Sequence, residues 1–324
     1  MTTALITGIT GQDGAYLARM LLSKGYTVFG ASRDAQLSRV SNLHSLGIYD
    51  RVRLVSVSLH DFRSVFQALI KTQPDEVYNL AGQSSVGLSF DQPVETLESI
   101  ATGTLNLLEA IRFTGRPIKL YSAGSSECFG DTGVFPANEE TPFRPRSPYA
   151  VAKAAAFWEV ANYREAYNLF ACTGILFNHE SPLRPERFVT RKIVAAAARI
   201  AGGSNERLRL GNIDIARDWG WAPEYVDAMW RMLQQATPSD FVIATGETRK
   251  LSDFIKVAFG EVGLDWTEWV DIDPEFFRPT DLKVGRADPS KAQRELGWQA
   301  TMHLDDVVKR MVAVERGLLR VEEA

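Results

Sequence analysis

Cysteine is nearly absent from the chain, which has 324 residues and only Cys128 and Cys172. Both lie in apolar, strand-like contexts without disulfide-framework or metal-ligand spacing. They read as buried free thiols in a reducing cytoplasm, and no metal site is expected. A basic excess is also missing: the net charge is -4 and the pI is near 5.7. That balance argues against a nucleic-acid surface or a polybasic membrane patch, while small anionic ligands remain open. Long apolar runs are lacking too. The most apolar helical stretch, 193–201, is short and carries Arg199, whereas a membrane span needs roughly 20 apolar residues. The first strand is read as beginning by Ala4, leaving no room before it for a cleavable leader. What is present, 45% hydrophobic and 23% charged residues, suffices for a large core in one composite domain or two closely packed ones.

The first half alternates short aliphatic runs with amphipathic stretches. Strands are read near 3–8, 27–31, 52–57, 76–80, 117–122 and 170–176, and helices near 13–24, 61–72, 95–113 and 148–167. This βαβ rhythm predicts an α/β fold with a doubly wound parallel Rossmann sheet. After Phe177 the rhythm changes. Pro182 and Pro185 break the chain, helix 188–201 follows, 217–236 reads as another helix, and strand 240–244 returns to the sheet edge. The expected division is a dinucleotide-binding domain over 1–178, completed by parts of 212–245, and a smaller, discontinuous substrate-binding lobe mainly over 179–324.

Ala4 to Gly14 ends a strand and opens a helix, with glycines at Gly8, Gly11 and Gly14. Small residues let the backbone approach a pyrophosphate, and the amides and dipole at the helix N-terminus stabilise its charge. At the end of the second strand, where an acidic residue would bind the ribose hydroxyls of NAD, stand Ser32 and Arg33. A hydroxyl beside a guanidinium suits the 2′-phosphate of NADP, although Asp34 follows.

The chemical signal is Tyr149 and Lys153, four apart in a helix-compatible stretch and therefore on one face. An ammonium beside a phenol favours the phenolate; a shift of about three pKa units corresponds to roughly 4 kcal/mol. Strand 117–122 runs into Ala123-Gly124-Ser125-Ser126-Glu127, so Ser125 and Glu127 are expected at the carboxyl edge of the sheet, where ligands of open α/β sheets bind.

These residues resemble the extended short-chain dehydrogenase/reductases and, within them, the GDP-mannose 4,6-dehydratases. The resemblance covers nearly the whole chain: Gly8 to Asp13, Tyr78 to Ser84, Thr141 to Lys153, Gly174 to Pro182, Phe188 to Ile193, Leu210 to Gly220, Phe277 to Thr280 and Leu296 to Trp298. It implies a homo-oligomeric lyase that uses NADP to convert a GDP-sugar to its 4-keto-6-deoxy form, with Ser125, Glu127, Tyr149 and Lys153 as the catalytic set. Cofactor contacts are implied at Gly8, Ile9, Thr10, Gly11, Gln12, Asp13, Gly14, Ser32, Arg33, Leu59, Leu80, Ala81, Gly82, Gln83, Lys153, His179 and Arg184. Substrate contacts are implied at Ser84, Ser85, Asn178, Glu180, Val189, Lys192, Leu210, Gly211, Asn212, Arg217, Arg278 and Asp281.

Several positions depart from the family pattern. The segment Ser32 to Asn42 is shorter than the family's interface loop and has one arginine at its start, leaving a homodimer or a homotetramer open. Ser58-Leu59 replaces the usual Asp-Leu. Glu95 stands where a tyrosine is usual, and Trp221 stands where a small residue or histidine is common, bulk expected to reshape a sugar pocket; a GDP-manno-heptose 4,6-dehydratase of the same mechanism is therefore the alternative reading. A nucleotide-sugar epimerase or reductase shares the turn, the tyrosine and the lysine, but an epimerase has no use for a second acid/base such as Glu127. An NADP-sensing module on the same fold has no need of all three side chains.

Overall fold

The computed structural model describes residues 1–323. Its strands are β1 (Thr3–Thr7), β2 (Thr27–Ser32), β3 (Arg53–Ser56), β4 (Glu76–Asn79), β5 (Lys119–Ala123), β6 (Ala171–Leu176), β7 (Asn178–Glu180), β8 (Leu208–Leu210), β9 (Ala216–Trp221), β10 (Phe241–Ile243), β11 (Thr248–Lys250) and β12 (Val270–Ile272). The helices are α1 (Gln12–Ser23), α2 (Ser41–Ser45), α3 (Phe62–Thr72), α4 (Val86–Asp91), α5 (Pro93–Leu97), α6 (Gly103–Thr114), α7 (Pro148–Tyr167), α8 (Val189–Ala201), α9 (Ala222–Leu233), α10 (Leu251–Gly260) and α11 (Leu304–Glu315).

Seven strands form one sheet in the order β10-β6-β5-β4-β1-β2-β3. Every pairing in it is parallel. The order reverses at β1 and β4, and at such a point an open α/β sheet leaves a crevice for ligands. Apolar side chains cover both faces: Ile6, Tyr78 and Tyr121 pack with Leu17, Tyr225 and Met229 on one side, while Leu5, Val77 and Leu120 pack with Leu69 and Leu107 on the other. A separate core joins Ile193, Trp219, Phe254 and Val308 in the smaller lobe.

Two sequence expectations are corrected. The first residues of the expected helix 217–236 form β9, because Arg217-Asp218-Trp219-Gly220-Trp221 pairs with both β11 and β7, and helix begins only at Ala222 with a proline in its first turn. That proline suits the first turn, where its missing N–H costs no helical bond. Cys128 lies in a short 3₁₀ turn, Ser126–Phe129, rather than on a strand, although both thiols are buried and free.

Candidate active site

At the end of β1, the glycine turn is held by backbone geometry. Gly8 has φ +71°, and a Cβ there would meet the Leu80 and Ala81 backbone at 2.9 Å. A Cβ on Gly14 would collide with the Gly8 carbonyl oxygen. The turn thus folds against both α1 and the end of β4, which bare backbone alone permits. Gly11 gives α1 no side-chain cap, so first-turn amides are left for an anion. Ile9 is fully buried. Gln12 is buried too, donating to the His179 carbonyl at 3.2 Å and accepting from Ser181 Oγ at 2.7 Å. Its side chain braces the turn.

Asp13 ties the turn to the strand after β6. His179 Nε2 lies 2.9 Å from its carboxylate, and His179 Nδ1 lies 2.7 Å from the Phe177 carbonyl. Burial opposes ionisation of Asp13, but the His179 imidazole, with Arg184 and Gln12, outweighs it and holds the carboxyl down at about 2. Arg184 pairs with Glu180 at 2.9 Å and also donates to the His179 carbonyl. Thr190 Oγ donates to Glu180 at 2.7 Å, linking the first turn of α8 to the same cluster.

At the second strand's end, Asp34 accepts from the amides of Gln36 and Leu37 at 2.8 and 3.0 Å. Its carboxylate caps its own turn. Ser38 Oγ donates to Ser32 Oγ at 2.8 Å, and Arg33 is exposed. Leu59 is buried, and its carbonyl accepts from Asn106 at 2.7 Å. Gln83 donates to Thr96 and to the Ser85 carbonyl, so its side chain fixes the loop after β4. Gly82 lies there with φ +139°.

The catalytic candidates come from two elements. Ser147 caps α7 by accepting from the Ala150 amide at 3.1 Å, with Pro148 next in line, which sets Tyr149 in the first turn and Lys153 one turn on. Beside α7, β5 ends at Ala123, and Ser125 begins a 3₁₀ turn in which its Oγ accepts from the Glu127 amide at 3.3 Å. Lys153 Nζ donates to the Ala123 carbonyl at 2.7 Å and stands 5.9 Å from the Tyr149 ring centre. Burial brings the Lys153 ammonium down to about 8.

Burial also pushes the Tyr149 phenol above its ordinary value; Cys128 and Glu127 push the same way, and the Ser125 hydroxyl only partly opposes them. The phenolate expected from Lys153 is therefore not favoured by these side chains alone. Desolvation is the largest influence on the phenol, and the Lys153 ammonium donates to the Ala123 carbonyl.

One cavity of about 390 Å³ is lined by all four catalytic candidates and by every substrate candidate, from Ser84 and Ser85 to Arg278 and Asp281. Asp13, Leu80, His179 and Arg184 border it as well. Arg217 is buried and donates to the Ala216 carbonyl at 3.0 Å. Its Nη2 lies 3.7 Å from Asp281 and has no hydrogen-bond partner among the described residues. A desolvated guanidinium with an idle donor fits a phosphate oxygen. The remaining cofactor candidates lie outside the cavity lining, along the turn and beyond the ends of β2, β3 and β4.

Trp221 does not line this cavity; it is 3% exposed within the smaller lobe's core. The bulk that suggested a reshaped sugar pocket is turned away from it. Sequence reasoning passed over Arg187, Arg209, Trp219 and Phe276, all of which line the cavity. Their signal was a place in or beside the family motifs: Arg187 precedes Phe188, Arg209 precedes Leu210, Trp219 lies within Leu210 to Gly220, and Phe276 precedes Phe277.

A family model described as GDP-mannose 4,6 dehydratase matches residues 5–311. GDP-mannose 4,6 dehydratase 1 of Arabidopsis thaliana is 49% identical over 330 residues, covering 99% of this chain and 91% of that protein. GDP-mannose 4,6-dehydratase of Vibrio cholerae serotype O1 is 45% identical over 344 residues, covering 96% and 92% respectively. Among solved structures, the UDP-glucose 4-epimerase of Thermus thermophilus in complex with NAD superposes with a TM-score of 0.86 at 26% identity, covering 98% of this chain and 100% of that one.

Proposed function

The chain belongs to the GDP-mannose 4,6-dehydratase family, and from that membership and the cavity geometry we propose that it converts GDP-mannose to GDP-4-keto-6-deoxymannose and water, as an NADP-dependent lyase. The observation that carries the reading is Glu127, a carboxylate in the cavity of Tyr149 and Lys153. The redox pair alone serves epimerisation or reduction; elimination needs a second acid/base.

When bound, the nicotinamide, held by the Gly8 to Gly14 turn and Lys153, would supply the hydride acceptor for sugar C4 and the hydride donor for C6. Tyr149 takes the O4 proton while Ser125 hydrogen-bonds O4. The new ketone acidifies C5–H, and Glu127 removes that proton and delivers it to the C6 hydroxyl, which leaves as water. One proton, equal to that taken from O4, returns to C5. Lys153 would orient the nicotinamide ribose, and a positively charged nicotinamide beside Tyr149 would favour its phenolate. Arg217, Lys192 and Arg278 hold the diphosphate and ribose; Asn178 and Glu180 face the sugar.

NADP is favoured over NAD because Asp34 is engaged in its own turn, leaving Ser32 and the exposed Arg33 for a 2′-phosphate. We assign 1–178, completed by parts of 212–245, to cofactor binding and the rest of 179–324 to the nucleotide sugar. A homodimer is supported by the apolar side chains exposed on adjoining helices: Val94 and Leu97 on α5, Leu105 on α6, and Val151 and Trp158 on α7. Buried free thiols fit a cytoplasmic setting. The test is incubation with GDP-mannose and catalytic NADP, followed by mass spectrometry. Loss of one water supports the reading, and turnover without water loss, or no turnover, refutes it.

A further inference from the structure

Tyr225, in the first turn of α9, is fully buried and lies outside the cavity lining. Its ring nevertheless lies face to face with the His179 imidazole, with centres 4.5 Å apart and planes 20° from parallel. That imidazole is committed at both nitrogens, Nδ1 to the Phe177 carbonyl and Nε2 to Asp13. Turning it out of its plane weakens both contacts, because hydrogen bonds lose strength steeply as they bend. The stack therefore sets the tilt on which the Asp13 contact depends.

Space for the stack comes from β9. Gly220 is the residue opposite His179 in the β7–β9 pair, and a Cβ on it would collide with the Tyr225 ring. Trp298 meets Tyr225 at a right angle, with centres 5.7 Å apart and planes at 87°, and donates from Nε1 to the Glu224 carbonyl at 3.0 Å. The Tyr225 hydroxyl has no hydrogen-bond partner among the described residues, a costly state for a buried polar group. The ring is what this position uses.

We propose that Tyr225 is a positioning residue for the cofactor: braced by Trp298 and admitted by Gly220, its ring holds the His179 imidazole in the plane that reaches Asp13, and so sets the first turn of α1 that would hold the dinucleotide. Its effect runs through His179, because Tyr225 has no place at the cavity wall. This proposal rests on the reading that the Gly8 to Gly14 turn takes a nicotinamide dinucleotide.

The test pairs calorimetric titration of the cofactor-free enzyme with NADP and heteronuclear NMR of the imidazole nitrogens. The chain has 4 histidines, and the His179 signals are assigned by their loss in His179→Gln. Tyr225→Leu is expected to weaken NADP about tenfold, to leave kcat at saturating cofactor within about threefold of wild type, and to move the His179 Nε2 signal as Asp13→Asn moves it. Tyr225→Phe is expected to match the wild type in all three. Should Tyr225→Leu not fold, Gly220→Ala carries the same expectations, because its methyl group displaces a ring that stays in the chain. Wild-type NADP affinity in Tyr225→Leu, weakened NADP with the His179 signal unmoved, or a Tyr225→Phe enzyme that fails as Tyr225→Leu does, overturns the proposal. If the wild type binds no nicotinamide dinucleotide, the cofactor reading fails and the His179 signal alone decides whether Tyr225 sets the ring. If the wild type binds NADP and Tyr225→Leu binds it equally well, the cofactor reading stands and the positioning role falls.

Discussion

Asp13 and His179 meet at 2.9 Å although 166 residues separate them. The contact fastens the first turn of α1 to β7, and so joins the candidate cofactor turn to the strand that carries Asn178 and Glu180. Because the Asp13 carboxyl is held at about 2, its pairing stabilises the fold above the ordinary carboxylate range and is lost as pH falls toward 2. Asp13→Asn is expected to be less stable by roughly 2 kcal/mol at neutral pH and to lack that part of the acid-unfolding profile. Denaturant melts between pH 7 and 2 check this; parallel profiles for both proteins would contradict it.

Tyr149 is expected to remain a phenol in the cofactor-free enzyme, since burial raises it and the Ser125 hydroxyl and Arg184 do not offset that. Ultraviolet difference titration of wild type against Tyr149→Phe should show no ionisation from this residue below pH 10. The same substitution is expected to lower kcat about a thousandfold, with NADP affinity within threefold of wild type. A phenolate visible near neutrality without cofactor would contradict the first expectation.

Arg217 carries a buried guanidinium nitrogen with no hydrogen-bond partner among the described residues. Arg217→Lys keeps a charge but loses the fork, and is expected to raise KM for the sugar nucleotide at least tenfold with cofactor affinity unchanged. Steady-state kinetics and a separate NADP titration distinguish this from general misfolding.

Arg33→Ala is expected to weaken NADP at least tenfold and NAD by less than threefold, narrowing the preference without abolishing redox chemistry. Binding titrations of both dinucleotides read the ratio directly.

Much of this arrangement was legible in sequence because it depends on local spacing. The glycines of the first turn and the Tyr149–Lys153 interval are each set within a few residues, and the alternation of strands and helices fixes which edge they reach. The start of α9 was misread because the strand Ala216–Trp221 owes its form to partners in β7 and β11, which no local pattern reveals. Trp221 was misplaced for a related reason: it shares one face of β9 and one core with Trp219, and only the packing of the lobe puts Trp219, not Trp221, at the cavity. The upward shift of the Tyr149 phenol also escaped, because spacing reports a neighbouring charge but not the burial that is the largest influence.

The central claim, that Glu127 turns a redox site into an elimination site, is tested by running the reaction with GDP-mannose and catalytic NADP in heavy water. The wild type is expected to yield a product lighter by one water and carrying one deuterium at C5, while Glu127→Gln retains some oxidation at C4 and gives no dehydrated product. Full dehydration by Glu127→Gln, or wild-type product without deuterium at C5, would contradict the account.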